Sequence, residues 1–195
     1  LRGFSAPVKI DVDLSEAERC FLMAHDSDLF NRWEASQQLA VQIILKLIER
    51  LQKGQALELD AAYVGAVRQM LDDTQIDPAL VEQALSLPAE TYIAEFMVVV
   101  DPDAIHNACR FVRRTLATEL RDEWQRVFAT NRDVGECSID AAAMARRSLK
   151  NTALGYLMEL DDVGIRRMCV EQFHAGNNMT DVVTALVFLI NSEGA

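Results

Sequence analysis

Asp28-Leu-Phe-Asn-Arg-Trp-Glu-Ala-Ser-Gln-Gln-Leu-Ala-Val-Gln-Ile-Ile-Leu-Lys-Leu-Ile-Glu-Arg-Leu-Gln-Lys-Gly54 decides the fold. It opens on a residue whose carboxylate can accept an orphan amide proton at a helix N-terminus, and closes on glycine, the usual helix terminator. Between them Leu29, Trp33, Ala40, Ile43, Ile44, Leu47, Ile48 and Leu51 recur at helical spacing, with Gln42, Lys46, Arg50 and Lys53 facing away. Such a stripe must be buried against other helices.

Working outward, Ser15-Glu-Ala-Glu18 reads as a capping box, the Ser hydroxyl taking one amide proton and Glu18 reaching back. A shorter helix is expected from about Asp60 to Asp72. Three prolines then act as helix starters, since their missing N–H would be unpaired at a first position anyway. Asp77-Pro78 opens a helix to about Leu85, Pro88 one to Val100, and Asp101-Pro102 a long one to about Thr130. On that long helix Ile105, Cys109, Val112, Leu116 and Leu120 form a stripe, opposite Arg110, Arg114, Arg121 and Gln125. Ser138 is read as the cap of a helix to Leu160. Val163 to His174 forms another, stopped by Gly176, and Thr180 caps a last one to about Asn191. The expected fold is all-α: an irregular antiparallel helical array, superhelical and ARM-like, of about nine helices with short connectors.

One segment breaks the pattern. Val8-Lys-Ile-Asp-Val-Asp-Leu14 alternates apolar and polar residues, the period of a half-buried strand, and nothing after it reads as a pairing partner. A lone strand cannot satisfy its own ladder, so residues 1–14 are expected to complete a sheet that lies upstream and residues 15–195 to form a helical domain, which the resemblance given below implies is truncated.

Composition narrows the function classes. The chain has 195 residues, half of them apolar and a quarter charged, as in an ordinary globular domain. Its net charge of −11 argues against a nucleic-acid surface and against anionic lipid. No apolar run approaches the roughly 20 residues that span a bilayer. Cys20, Cys109, Cys137 and Cys169 lie far apart in no metal or redox spacing, which together with the lack of a visible signal peptide points to a reducing, cytoplasmic setting.

Candidate constellations all have a plainer explanation. His25-Asp26-Ser27-Asp28 offers imidazole and carboxylates in one loop, but caps a helix rather than supplying three or four convergent ligands. His106 and Cys109 sit at i,i+3, with Cys109 in the apolar stripe; Cys169 and His174 diverge around their helix. Arg110, Arg113, Arg114, Arg121, Arg146, Arg147 and Lys150 could face an anion, yet in so acidic a chain they read as a solvated surface paired with Asp and Glu. Trp33 and Trp124 read as core. No catalytic, cofactor-binding or metal-binding residue emerges, and no cofactor is expected in this chain.

Several blocks carry a resemblance. Phe4-Ser-Ala-Pro-Val8, Ala24 to Ala35, Leu87-Pro-Ala-Glu-Thr-Tyr92, Asp101-Pro-Asp-Ala-Ile-His106, Lys150-Asn-Thr-Ala-Leu154 and Asn177-Asn-Met-Thr-Asp181 occur in an order and spacing that resemble the bacterial-type M1 aminopeptidases, the alanyl aminopeptidase N family. The match implies the end of a β-sandwich domain followed by the first half of a C-terminal helical domain. Leu29 departs from the family, where many members carry Pro. The family's His-Glu-x-x-His zinc motif and Gly-x-Met-Glu-Asn amine-binding motif are absent from this sequence, and His25, His106 and His174 match no family ligand.

By resemblance, the parent is a zinc-dependent exopeptidase that removes N-terminal amino acids from peptides. This chain is its non-catalytic helical portion, enclosing the active-site chamber and partnered by the catalytic and β-sandwich domains. The competing reading is a free-standing helical scaffold for protein–protein interaction. Val182 to Ile190 is apolar around nearly the whole helix, so self-association through this helix or the orphan strand is also expected.

Overall fold

The computed structural model describes residues 12–133, 135 and 137–192. They form ten α-helices: α1 Glu16–His25, α2 Leu29–Gln52, α3 Ala61–Asp72, α4 Pro78–Leu85, α5 Glu90–Ala94, α6 Pro102–Glu119, α7 Arg121–Thr130, α8 Ala141–Met158, α9 Val163–Ala175 and α10 Met179–Asn191. The all-α, ARM-like expectation holds. Residues 8–11 of the expected strand lie outside the described residues; residues 12–14 are not strand, and no strand occurs among the described residues.

Two compact units divide the chain. One comprises the residues up to Met70 with Gln83–Cys109, the other Leu71–Glu82 with Arg110 onward.

In the first unit α1 and α2 form an antiparallel hairpin. Its open end is marked by the Lys46–Glu16 ion pair. At the turn, buried Arg32 donates from Nε to the Met23 carbonyl at 3.0 Å and from Nη2 to the Ala24 carbonyl at 2.9 Å. These carbonyls belong to the last turn of α1, where no intrahelical N–H remains to bond them. Asp28 caps α2 through the Phe30 and Asn31 amides, as the sequence predicts. Gly54 ends it at φ +64°, with Gly54 N–H on the Leu51 carbonyl and Gln55 N–H on the Arg50 carbonyl. This is the six-to-one, five-to-two pattern of a left-handed glycine cap. The capping box at Ser15 and Glu18 is complete. Leu39, Ile44, Leu47 and Ile48 bury α2, whereas Leu29 is exposed and Trp33 half-buried, so the expected stripe starts later than its spacing suggested.

The second unit holds α7 to α10. Trp124 on α7 stacks on Tyr156 of α8, ring centroids 4.2 Å apart, while Asp133, just after α7, meets Arg147 nearer the start of α8. α9 and α10 run antiparallel: Arg166 bonds Ser192, Cys169 Sγ lies on the Ala185 carbonyl, and Gln172 reaches the Asp181 carbonyl.

Four boundaries correct the sequence reading. The helix expected from Pro88 to Val100 spans only Glu90–Ala94, because it tightens into three-residue bonds, Phe96 N–H to Ile93 O and Met97 N–H to Ala94 O, ahead of three β-branched valines. The long helix from Pro102 breaks at Leu120, where the Trp124 indole N–H adds a bond to the Leu116 carbonyl at 3.1 Å, a side-chain donor entering the ladder. Asp140, not Ser138, caps α8, accepting from Ala143 N–H while Ser138 supports it from outside. Asn178, not Thr180, caps α10.

Gly176 is not a left-handed cap. A Cβ there would lie 2.6 Å from Val182 Cγ2 and 3.0 Å from the Gln172 carbonyl, so glycine is needed for close approach of α9 and α10. At Gly54 nothing lies within 4 Å and only the backbone angle opposes a side chain. Gly54→Ala should therefore cost about 1 kcal/mol, and Gly176→Ala more, about 1–3 kcal/mol, because backbone must move. Thermal unfolding of both variants checks the order; a more damaging Gly54→Ala would refute it.

Candidate functional site

The most concentrated polar chemistry lies inside the second unit. Lys150 and Asp181 form an ion pair at 2.5 Å, both side chains only 6% exposed. Asn151 Nδ2 donates to the other Asp181 carboxylate oxygen at 3.0 Å, and Asn178 Nδ2 to the oxygen shared with Lys150 at 2.9 Å. Gln172 Nε2 donates to Asn151 Oδ1 at 2.8 Å and to the Asp181 main-chain carbonyl at 3.3 Å. The Asp181 amide closes the set on Asn178 Oδ1, which makes the α10 cap part of the network. Burial opposes ionisation of Asp181, but Lys150, Asn178 and Asn151 outweigh it and hold the carboxyl below its ordinary value. α8, α9 and α10 thus meet in one network built around a charged carboxylate.

A second buried pair joins Arg147 to Asp133 at 3.0 Å, with Arg147 also donating to the Ser138 carbonyl at 2.9 Å. Arg147 and Lys150 were expected on a solvated face. They pair with acids as expected, but do so in the interior, because both sit on the buried stripe of α8 with Ala143, Leu154 and Leu157. The signal was in the sequence: cations at core positions of one helix imply anions on its neighbours. Arg113–Glu159 and Arg121–Asp162 are more exposed pairs.

The remaining candidates do not converge. His25 is exposed, its ring tilted against Phe21 at a centroid distance of 4.9 Å and 3.5 Å from Gln69, while Asp26 and Asp28 are occupied by backbone amides of the α1–α2 turn. Exposed His106 pairs with Glu90 at 3.1 Å, and Cys109 is buried away from solvent. The Cys169 thiol is pushed up to about 11 by burial, which makes it inert as a thiolate. All four cysteines are free. Trp124 is core, as read. A cleft of about 460 Å³ in the first unit has Ile43, Leu47 and Leu59 as its apolar wall. Its two cations face carboxylates, Lys46 that of Glu16 and Arg50 that of Glu58, and Asp60 also lines it, its carboxylate accepting from the Ala62 amide. Among the described residues no three His, Cys, Asp or Glu side chains gather as a metal site.

Antiparallel helix pairs fastened by buried polar pins characterise the described residues. The chain belongs to the family described as "Domain of unknown function (DUF3458_C) ARM repeats", which matches residues 16–195. It is 38% identical over 187 residues to aminopeptidase N of Escherichia coli (strain K12), covering 94% of this chain and 21% of that protein. It is 35% identical over 195 residues to aminopeptidase N of Caulobacter vibrioides, covering 100% and 22% respectively. The crystal structure of Legionella pneumophila aminopeptidase A in complex with aspartic acid superposes with a TM-score of 0.80 at 24% identity, over 96% of this chain and 23% of that one, a likeness of fold. The chain thus spans about a fifth of the length of the curated relatives it matches. The resemblance to the C-terminal helical domain of the M1 aminopeptidases is borne out.

The network predicts a stability pattern. Lys150→Met leaves the buried Asp181 carboxylate without its counter-charge and should cost about 3–5 kcal/mol; Lys150→Met with Asp181→Asn should cost less than the two singles added. Strict additivity in urea melts would refute the coupling. Because the folded Asp181 value is depressed, its contribution is complete above the ordinary carboxylate value, about 4, and disappears as pH falls through the lower folded value. Asp181→Asn should flatten that acid limb of the stability curve.

Proposed function

We propose that this chain is the non-catalytic helical part of a longer zinc-dependent aminopeptidase that removes N-terminal amino acids from peptides, and that it helps enclose the chamber where cleavage occurs. One observation carries the reading: the whole chain aligns with proteins named aminopeptidase N while filling only about a fifth of their length. Residues 15–195 then form the helical domain, and residues 1–14 end the domain before it. Its partners are the catalytic and β-sandwich parts of the same polypeptide, with peptides as substrates of the whole.

Zinc in that parent does not fit the residues of this chain, for the described histidines, cysteines and carboxylates nowhere converge in threes. No chemical step is therefore assigned to them; their work is to hold helices in register. A cytoplasmic setting accords with the reading. No described helix is long and apolar enough to cross a membrane.

Self-association of the segment belongs to the same proposal. The apolar circumference of α10 is covered on one side only: Ala185 is fully buried, whereas Val183, Leu186, Val187 and Ile190 are exposed. Phe188 packs toward Gly155, so it does not belong to the open face.

Two measurements test this. The longer polypeptide should hydrolyse an aminoacyl chromogenic substrate and the 195-residue chain should not; turnover by the short chain, tracking bound zinc, would refute its non-catalytic role. Light scattering should find the short chain self-associated and Ile190→Glu monomeric; a wild-type chain monomeric at high concentration would remove self-association.

A further inference from the structure

A group of apolar side chains from α5 to the start of α6 stands exposed among the described residues. Val98 is fully exposed, Val99 78% exposed, and Tyr92, Phe96 and Val100 about half. They fall within the single segment Tyr92 to Val100 and are held in shape. Glu95, Phe96 and Met97 donate amide protons to Tyr92, Ile93 and Ala94 at 3.1–3.2 Å, and Tyr92 meets Phe96 edge to face at 5.1 Å. Ile93 is fully buried and anchors the turn from beneath. An apolar patch so presented marks an interaction surface rather than scattered surface hydrophobes.

Charge identifies what fits it. No lysine or arginine occurs between Arg68 and Arg110, while Glu90, Glu95, Asp101 and Asp103 flank the patch; His106 pairs with Glu90, and Lys53, next to the Gln52 that bonds Asp101, is matched by Glu49, so the balance at the rim stays acidic. The Asp101 carboxyl is held below its ordinary value by the Ala104 amide and Gln52, so it is ionised at neutral pH. An acid-rimmed apolar surface repels anionic lipid and also repels its own copy, whose rim carries the same sign. It suits an apolar socket edged with Lys and Arg.

We propose that Tyr92, Phe96 and Val98–Val100 form the surface by which this segment docks onto the remainder of its own longer polypeptide, in such a basic-edged socket. The inference rests on the reading of the chain as part of a longer aminopeptidase, since relatives about five times its length supply the polypeptide that must meet it.

The test compares Val98→Cys in the longer polypeptide and in the 195-residue chain. Maleimide labelling of that position is followed by peptide mass spectrometry, native and in urea. The substitution sits on a fully exposed side chain and leaves the core untouched. The expected result is labelling more than about tenfold slower in the native longer polypeptide than in urea, and no such protection in the short chain. Equal rates in the native and unfolded longer polypeptide would overturn the docking surface; hydrolytic activity of the same preparation then reports separately on the parent reading. Protection of the short chain that grows with its concentration would overturn it in favour of a second copy. Protection brought on by anionic phospholipid vesicles would overturn it in favour of a membrane. Chymotrypsin on the unsubstituted proteins gives a second reading: cleavage after Phe96 in the short chain and none in the longer one is expected, and equal cleavage would overturn the proposal.

Discussion

The buried Lys150–Asp181 pair is the constraint on which the second unit depends. Each charge removed from water costs several kcal/mol unless its partner and hydrogen bonds restore what hydration gave. Here the carboxylate gathers one ammonium and two side-chain amides, and its own residue supplies an amide and a carbonyl to Asn178 and Gln172. Apolar side chains alone tolerate sliding of one helix on another. A carboxylate with directional partners on α8 and beside α10 does not, because a shift of one turn leaves every member of the set desolvated and unpaired. The close approach at Gly176 works with it, setting the spacing between α9 and α10 while the network sets their register.

The same logic explains why so polar a cluster is not a reaction centre. Catalytic groups need to be exposed to a substrate and poised near the pH at which they work. Asp181 is depressed away from that range and enclosed, and the Cys169 thiol is raised away from it. Where the surface is open, as in the cleft beside α2, Lys46 and Arg50 each already face a carboxylate.

Much of the fold was legible in local sequence. Ser15 with Glu18, Asp28 and Gly54 each placed a helix end correctly, because a cap is chemistry between residues two to five apart. The stripe on α6 was legible for the same reason. What local reading missed depended on distant partners. The break at Leu120 needs the Trp124 indole turned back onto Leu116, whereas the early end of α5 had a local sign, the three valines after Met97, that the stripe reading passed over. Asp140 and Asn178 displaced the nearer hydroxyl residues as caps, since a carboxylate or amide reaches the third amide better placed than Ser138 or Thr180. The interior pairing of Arg147 and Lys150 escaped because a cation on a helix is usually solvated. The order and spacing of the family's blocks were legible from sequence, and the relatives bear the family out.

Arg32 has a kinetic implication. It lies only 8 to 9 residues from the carbonyls it binds, so the α1–α2 turn closes with little loss of chain entropy. Contacts of such short range form on the timescale of loop closure, long before pairings such as Lys150 with Asp181, 31 residues apart, are sampled. The guanidinium also seals the end of α1 against fraying while the rest of the chain is still searching. The first hairpin is thus in place before the longer-range pairings of the chain are made.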